Sequence, residues 1–318
     1  TPSTEITECA AKYPEIYAEW APNEKVAMEA AFGASLSGRR SFCGMKHVGL
    51  NVAADPLFTL SYTGVRGGMV IGVADDAGMH SSQNEQDSRH YAIAAKLPML
   101  EPSDAAESLA FAKLAYELSE KFDTPVLLKM CTRVAHAQSV VETSERQEVA
   151  PIPYEKDIAK FVMMPACARA RHPIVEQRTL ALQAWAETAD VNRVEDGADH
   201  SIGLISSSTS YQYVKEVCGD KYPVLKLGMI HPLPVEKIRA FAKSVEKVIV
   251  AAPSASRTSP ARSCSAASAS SARTTLPKSL VWLSTPVTSW TSPSRPGRRS
   301  CARAARTEGF SIRSRRTS

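Results

Sequence analysis

The chain has 318 residues, 44% of them hydrophobic and 22% charged, and a formal net charge of +5. This length suggests roughly two globular domains, and no apolar run approaches the ~20 residues that a membrane-spanning helix needs. Seven cysteines lie far apart with no C-x-x-C pair, which argues against an iron–sulfur cluster, a structural zinc site or a disulfide framework. We therefore expect a protein of the reducing cytoplasm.

The positive charge is concentrated at one end of the chain. Residues 251–318 contain twelve Lys and Arg and a single acid, so about +11 lies there and about −6 in the rest. This segment is rich in Ser, Ala, Arg, Thr and Pro without periodic apolar positions, which predicts a disordered, low-complexity tail. One interpretation is a basic arm that contacts nucleic acid or membrane. We favour the other, translation of a GC-rich gene out of frame, because the break directly follows a strand-like run at residues 247–250.

The first half of the chain alternates strand and helix patterns. Residues 23–34 predict a helix capped by Asn23, because Asn is a favoured N-cap and acids suit the first turn. A second helix is predicted from Ser103, with Asp104 and Glu107 in its first turn. Three short apolar runs predict strands: residues 41–45, 68–74 and 125–130. This alternation predicts an α/β fold with a parallel sheet and helices on both faces.

The second half contains a connector and a smaller α/β unit. Residues 144–200 are charged and proline-containing, with one helix near 174–188, and predict the connector. Strands are predicted at 201–205, 224–227 and 248–251, and helices at 211–217 and 234–243. The predicted domains are 1–143, the connector 144–200, a partial domain 201–250 and the tail 251–318. The chain opens at Thr1 without Met, and we expect no signal peptide.

Two polar clusters follow predicted strands. Lys46, His47 and Gly49 come after the 41–45 strand, and a long polar loop from Asp75 to His90 follows the next one. Ligands bind in open parallel sheets at the carboxyl ends of the strands, which makes both clusters candidate sites. A solvated surface loop and a hydrogen-bonded structural histidine remain the alternative interpretations.

These residues carry a resemblance to a known family. The matching runs are TPSTEI at 1–6, NEKVA at 23–27, MKHVGLNVAADP at 45–56, ADD at 74–76, HSSQNEQDSR at 80–89 and SYQYVKEV at 210–217. Together they resemble the α subunit of indolepyruvate ferredoxin oxidoreductases, which belong to the thiamine-diphosphate-dependent 2-oxoacid:ferredoxin oxidoreductases. The resemblance implies that residues 1–143 form the pyrimidine-binding domain, without its first strand and helix, and that 201–250 are part of a domain like the C-terminal domain of transketolase.

The resemblance also implies roles for single residues. A carboxylate hydrogen-bonded to the pyrimidine N1′ promotes loss of the thiazolium C2 proton, and Glu24 fits that role, with Glu29 as the fallback. Lys46, His47 and Gly49 would line the pyrimidine pocket, where His47 could transfer protons. Thr1 and Arg89 fall near the positions that bind the substrate carboxylate, a task suited to a hydroxyl and a planar guanidinium. We expect no metal ligand in this chain.

The whole enzyme implied by the resemblance oxidatively decarboxylates an aryl 2-oxo acid to an acyl-CoA and passes electrons to ferredoxin. Its cofactors would be thiamine diphosphate with Mg²⁺ and [4Fe-4S] clusters, whose ligands we do not find here. Its partners would be a β subunit, ferredoxin, coenzyme A and the 2-oxo acid, with no membrane and no nucleic acid. The alternative is an inert fragment or a binding module whose basic tail contacts RNA or anionic membrane.

Overall fold

The computed structural model describes residues 4–146, 149–150, 152–251 and 280–282. The helices are α1 Thr4–Ala10, α2 Glu24–Leu36, α3 His47–Val52, α4 Ala54–Thr63, α5 Arg89–Ala95, α6 Ala105–Phe122, α7 Thr132–Ala135, α8 Ile158–Phe161, α9 Pro165–Thr188, α10 Ser208–Cys218 and α11 Val235–Lys243. The strands are β1 Ser41–Lys46, β2 Met69–Asp75, β3 Met99–Leu100, β4 Val126–Cys131, β5 Asn192–Glu195, β6 Ile202–Ser207, β7 Val224–Leu227, β8 Met229–His231, β9 Lys247–Ala251 and β10 Leu280–Trp282.

The first sheet has the strand order β1-β2-β4-β3-β8, and its first four strands are parallel. Every residue of β2 is buried, as expected for a central strand with both faces covered. Met69, Ile71 and Val73 pack into a core with α2, α4 and α5. Val70 faces the opposite way, into a core with α6 and α9. The predicted parallel sheet with helices on both faces is therefore confirmed.

The second sheet has the order β10-β9-β6-β7-β5, with β5 antiparallel to β7 and the other pairs parallel. Helix α11 covers one face through Phe241 and Ala242, and α10 covers the other through Tyr211 and Val214. The second unit is thus also an α/β layer structure, as predicted.

Three strands pair across the predicted domain boundaries. The strand β5 belongs to the second sheet although it lies in the predicted connector. The strand β8 lies in the predicted second domain but pairs with β3 of the first sheet. In the predicted tail, the apolar run Leu280–Trp282 pairs with β9. The rest of the tail beyond Ala251 lies outside the described residues, and the division into domains stays a prediction.

The connector helix α9 begins nine residues earlier than predicted and continues through Pro173. Two of its arginines reach the end of α4. Arg171 donates to the carbonyl of Tyr62 at 2.8 Å, and Arg178 donates to the carbonyls of Ser61 at 2.7 Å and Asp123 at 2.9 Å. Unsatisfied carbonyls at a helix C-terminus favour such cationic donors. This docking stabilises the first turns of α9 despite the proline.

Of the described helices, none is long and apolar enough to cross a lipid bilayer.

Candidate active site

Glu24 is the first residue of α2, directly after its N-cap. Asn23 accepts a hydrogen bond from the backbone N–H of Val26 at 3.0 Å, as predicted. The half-buried side chain of Glu24 lies against Gly49 in α3, so closely that a Cβ atom on Gly49 would come within 2.6 Å of Glu24 Cγ and 2.8 Å of Oε1. Only glycine leaves this space for the carboxylate. The fallback residue, Glu29, is exposed on the same helix.

His47 is buried at the start of α3, with 1% of its surface exposed. Its Nδ1 accepts a hydrogen bond from the backbone N–H of Asp76 at 3.3 Å, and its Nε2 lies 3.1 Å from the carbonyl oxygen of Asn84. Since a carbonyl can only accept, Nε2 carries the proton and the ring is held as one neutral tautomer. Both ring nitrogens are therefore engaged by the loop that follows β2.

Lys46 ends β1 and projects its ammonium onto the same loop. Its Nζ donates to the carbonyl of Ser81 at 2.5 Å, to Ser81 Oγ at 3.2 Å and to Ser82 Oγ at 3.1 Å. Lys46 and His47 thus fasten two neighbouring parts of one polar loop. At the far end of the loop, Ser88 donates its backbone N–H to the carboxylate of Asp75 at 3.1 Å and its hydroxyl to the same carboxylate at 2.5 Å. The loop is therefore pinned at both ends.

Arg89, at the start of α5, lies in a different cluster. Its Nη2 is 3.3 Å from Glu101 Oε1, and its Nε is 3.5 Å from Asp87 Oδ1. The side chain of Glu101 is completely buried and also accepts from Lys129 Nζ at 2.7 Å and from Ser207 Oγ of the second sheet at 3.3 Å. Arg89 therefore sits where the two sheets meet.

Charge pairing outweighs burial in this cluster. Burial acts to raise the pKa of the Glu101 carboxyl, but the charges of Arg89 and Lys129 hold that pKa below its usual range. Burial likewise acts to lower the pKa of the Lys129 amine, and Glu101 together with Asp75 raises it above its usual value. Glu101 and Lys129 are therefore both charged at neutral pH. Breaking such a buried pair by removing one partner is strongly destabilising.

The structure thus divides the predicted site residues into two groups. Glu24, Lys46, His47 and Gly49 lie on adjoining elements at the β1 end of the first sheet. Arg89 faces the second sheet, where it lines a mostly apolar cavity of about 240 Å³ with Ile93, Ile205 and Leu227 among its walls. Thr1 lies outside the described residues. Within the described ranges, no three His, Cys, Asp or Glu side chains could together hold a metal ion.

Several polar residues of these clusters were not predicted. Lys129 occupies the middle of the otherwise apolar strand β4, and Glu101 directly follows the apolar β3. A charge inside a buried strand is a detectable signal, since such residues are almost never fully buried unless paired. Ser81, Ser82 and Asp76 gave no comparable signal, because a polar loop is ordinarily exposed.

Comparisons with known proteins identify the class to which this α/β protein belongs. Residues 1–200 match the family described as pyruvate flavodoxin/ferredoxin oxidoreductase, thiamine diphosphate-binding. The chain belongs to this family.

Its curated relatives include indolepyruvate oxidoreductase subunits IorA. The chain is 44% identical over 262 residues to that of Archaeoglobus fulgidus and 45% identical over 258 residues to that of Methanothermobacter thermautotrophicus. Each alignment covers 79% of this chain and 42% of the relative. The chain therefore spans about two fifths of the length of the curated relatives that it matches.

Two solved structures share the fold at 16% identity. A 2-oxoglutarate:ferredoxin oxidoreductase from Magnetococcus marinus, with 2-oxoglutarate, coenzyme A and succinyl-CoA bound, has a TM-score of 0.63 and aligns with 89% of this chain and 56% of its own. A split-gene transketolase, an inactive β4 tetramer, has a TM-score of 0.57, covering 89% and 79%. The predicted combination of a pyrimidine domain with a transketolase-like domain is thus confirmed at the level of fold.

Proposed function

We propose that this chain supplies the pyrimidine-binding half of a thiamine diphosphate site in an oxidoreductase that acts on aryl 2-oxo acids such as indolepyruvate. The observation that carries the proposal is the contact of Glu24 with Gly49. The glycine lets the Glu24 side chain pack into the space that a Cβ atom would fill. Within the described ranges, no group donates a hydrogen bond to the Glu24 carboxylate. Such a carboxylate can accept a hydrogen bond from the ring N–H of the protonated or imino form of an aminopyrimidine, so the residues fit the cofactor.

The roles follow from the geometry of each side chain. Glu24 would accept a hydrogen bond from the pyrimidine and hold the ring against α3. Gly49 permits that close approach, while Lys46 and His47 would fix the loop that walls the pocket. When bound, thiamine diphosphate supplies a carbanion that attacks 2-oxo groups. Arg89 would orient the substrate carboxylate, in competition with its present partners Asp87 and Glu101.

The relatives' names support the wider assignment. The complete enzyme would convert an aryl 2-oxo acid and coenzyme A to an acyl-CoA and carbon dioxide, passing two electrons to ferredoxin. We infer that it uses Mg²⁺ with thiamine diphosphate, [4Fe-4S] clusters and a β subunit. The five described cysteines are free, which supports a reducing compartment, the cytoplasm.

Titration of the full chain with thiamine and with thiamine diphosphate plus Mg²⁺ tests the proposal. If these residues hold the pyrimidine, both ligands bind, and their affinities agree within about threefold because the described site contacts only the shared ring. Glu24→Gln should weaken both, and the matched variant Glu29→Gln on the same helix should weaken neither. Equal losses in the two variants, or no binding of thiamine, would contradict the assignment.

A second measurement uses the assembled enzyme with its partner subunit. Glu24→Gln should lower kcat by about 10²–10⁴-fold, the usual range for general acid–base groups, with unchanged circular dichroism. Near-normal turnover would move the role to Glu29.

A further inference from the structure

Asp76 is buried immediately after the central strand β2, with 1% of its surface exposed. Its carboxylate accepts four hydrogen bonds. Oδ1 accepts from the backbone N–H of His80 at 3.2 Å and from Thr132 Oγ1 at 3.0 Å. Oδ2 accepts from the backbone N–H of Ser81 and from Ser82 Oγ, both at 2.8 Å. A carboxylate has about four acceptor positions, so the loop after β2 is folded around this one side chain.

Ser81 and Ser82, which donate hydrogen bonds to Asp76, also accept hydrogen bonds from Lys46. Ser82 Oγ donates its single proton to Asp76 Oδ2 and accepts from Lys46 Nζ. Ser81 donates its N–H to the same carboxylate oxygen and offers its carbonyl to Lys46. Two chains of hydrogen bonds therefore run from the ammonium of Lys46 through the serines to the charge of Asp76. Chains of this kind polarise and strengthen one another.

The backbone of Asp76 acts on the neighbouring residue. Its N–H donates to His47 Nδ1, so the ring proton must sit on Nε2, which donates to the carbonyl of Asn84. The side chain of Asp76 thus orients Lys46, and its main chain fixes the tautomer of His47. Burial acts to raise the pKa of the Asp76 carboxyl, but the hydrogen bonds from Ser82, Ser81, Thr132 and His80 together hold that pKa below its usual value.

We propose that Asp76 is a positioning residue of the candidate site, whose carboxylate holds Lys46 in place through Ser81 and Ser82 and whose backbone N–H orients His47. The proposal rests on the proposed function only in calling these side chains part of a cofactor site. All four donors around Asp76 require an ionised carboxylate. An asparagine there keeps one acceptor oxygen and turns its amide protons toward two existing donors.

The first readout is the reactivity of Lys46 in the full chain without cofactor. Acylation of its amine, followed by mass spectrometry, should be at least about fivefold faster in Asp76→Asn and Ser82→Ala, since the amine is released from charge-assisted hydrogen bonds. Ser82→Thr keeps the hydroxyl and should retain the slow parental rate. Thr132→Val removes a donor from the other carboxylate oxygen and should also leave that rate unchanged. A merely structural role predicts similar effects of all four substitutions.

The second readout is the ¹⁵N spectrum of the His47 ring, which should show the single Nε2–H tautomer in the parent chain and also in Asp76→Asn, because asparagine keeps the backbone N–H that donates to Nδ1. The matched control is Asp220→Asn, which removes an exposed carboxylate paired with Lys215 and should change neither readout.

A folded Asp76→Asn chain with Lys46 reactivity within twofold of the parent overturns the proposal. If that variant does not fold, Ser82→Ala decides by the same criterion. Because both readouts use the unliganded chain, their failure leaves thiamine binding by Glu24 standing, and a failure of thiamine binding leaves this network standing.

Discussion

Replacing Gly49 by alanine should displace the side chain of Glu24 while leaving the stability of the fold nearly unchanged. The added Cβ atom would lie 2.6 Å from Cγ, 2.8 Å from Oε1 and 2.9 Å from Cδ of Glu24. All three distances are impossible contacts, and all involve one flexible, half-buried side chain. Glu24 can therefore swing away at a cost of about 0.5–1.5 kcal/mol for a displaced rotamer. Alanine within helix α3 offsets this by up to about 1 kcal/mol relative to glycine.

The net change in unfolding free energy should thus stay within about 1 kcal/mol, which corresponds to a shift in Tm of about 2–4 °C at this chain length. Binding should respond differently. A hydrogen bond to a charged group contributes about 1.5–3 kcal/mol, so displacing the carboxylate should weaken thiamine binding at least tenfold. Chemical denaturation and ligand titration measure the two effects on the same sample.

Gly33 provides the control, because it lies inside α2 with no atom within 4 Å of its would-be Cβ. Gly33→Ala should stabilise the chain by about 0.5–1 kcal/mol without changing thiamine affinity. If Gly49→Ala binds thiamine within twofold of the parent, Glu24 is not the acceptor of the pyrimidine.

Three further substitutions test the clusters around this site. Arg89→Lys in the assembled enzyme should raise KM for the 2-oxo acid several-fold, because lysine loses the planar two-point grip on a carboxylate; a kcat/KM within twofold of the parent would show that Arg89 only pairs with Asp87 and Glu101. Arg178→Met should lower the unfolding free energy by about 2–4 kcal/mol, because the carbonyls of buried Ser61 and half-buried Asp123 lose their donor, and an unchanged denaturant midpoint would contradict the docking role of α9. The pKa of Glu101 is lowered in the folded state. Its contribution to the unfolding free energy is therefore present above the unfolded-state pKa of about 4.3 and is lost as the pH falls through the folded-state pKa. Glu101→Gln should therefore be less stable than the parent at neutral pH and lose less stability in acid, and parallel pH profiles of the two proteins would refute this.

The regular elements were predictable where local signals and burial agree. The start of α6 shows this: the helix was predicted from Ser103 with Asp104 in its first turn, and Asp104 is the N-cap, accepting from the N–H of Glu107 at 2.8 Å. The short strands β3 and β8 gave no such signal. Each has two or three residues and is stabilised by its neighbours rather than by its own pattern. Periodicity cannot reveal an element that tertiary pairing alone creates.

The sequence indicates candidate site residues, but it does not show how they are arranged. The resemblance indicated Glu24, Lys46, His47 and Gly49, which the structure brings to adjoining elements. It gave no indication that the guanidinium of Arg89 pairs with the buried Glu101, twelve residues along the chain. Such ion pairs depend on how helices and strands pack, and residue type specifies only that a buried charge needs a partner.

The antiparallel strand β8 has a consequence for dissecting this protein. The family match ends at residue 200, which would suggest expressing residues 1–200 as an independent unit. That fragment would lack Met229–His231, the strand that pairs with β3, and also Gly228, whose carbonyl accepts from Glu101 N–H at 2.8 Å. The uncovered edge would present unpaired backbone groups, the condition that promotes edge-to-edge aggregation. A soluble fragment should therefore extend past His231, because the family match and the first sheet end at different residues.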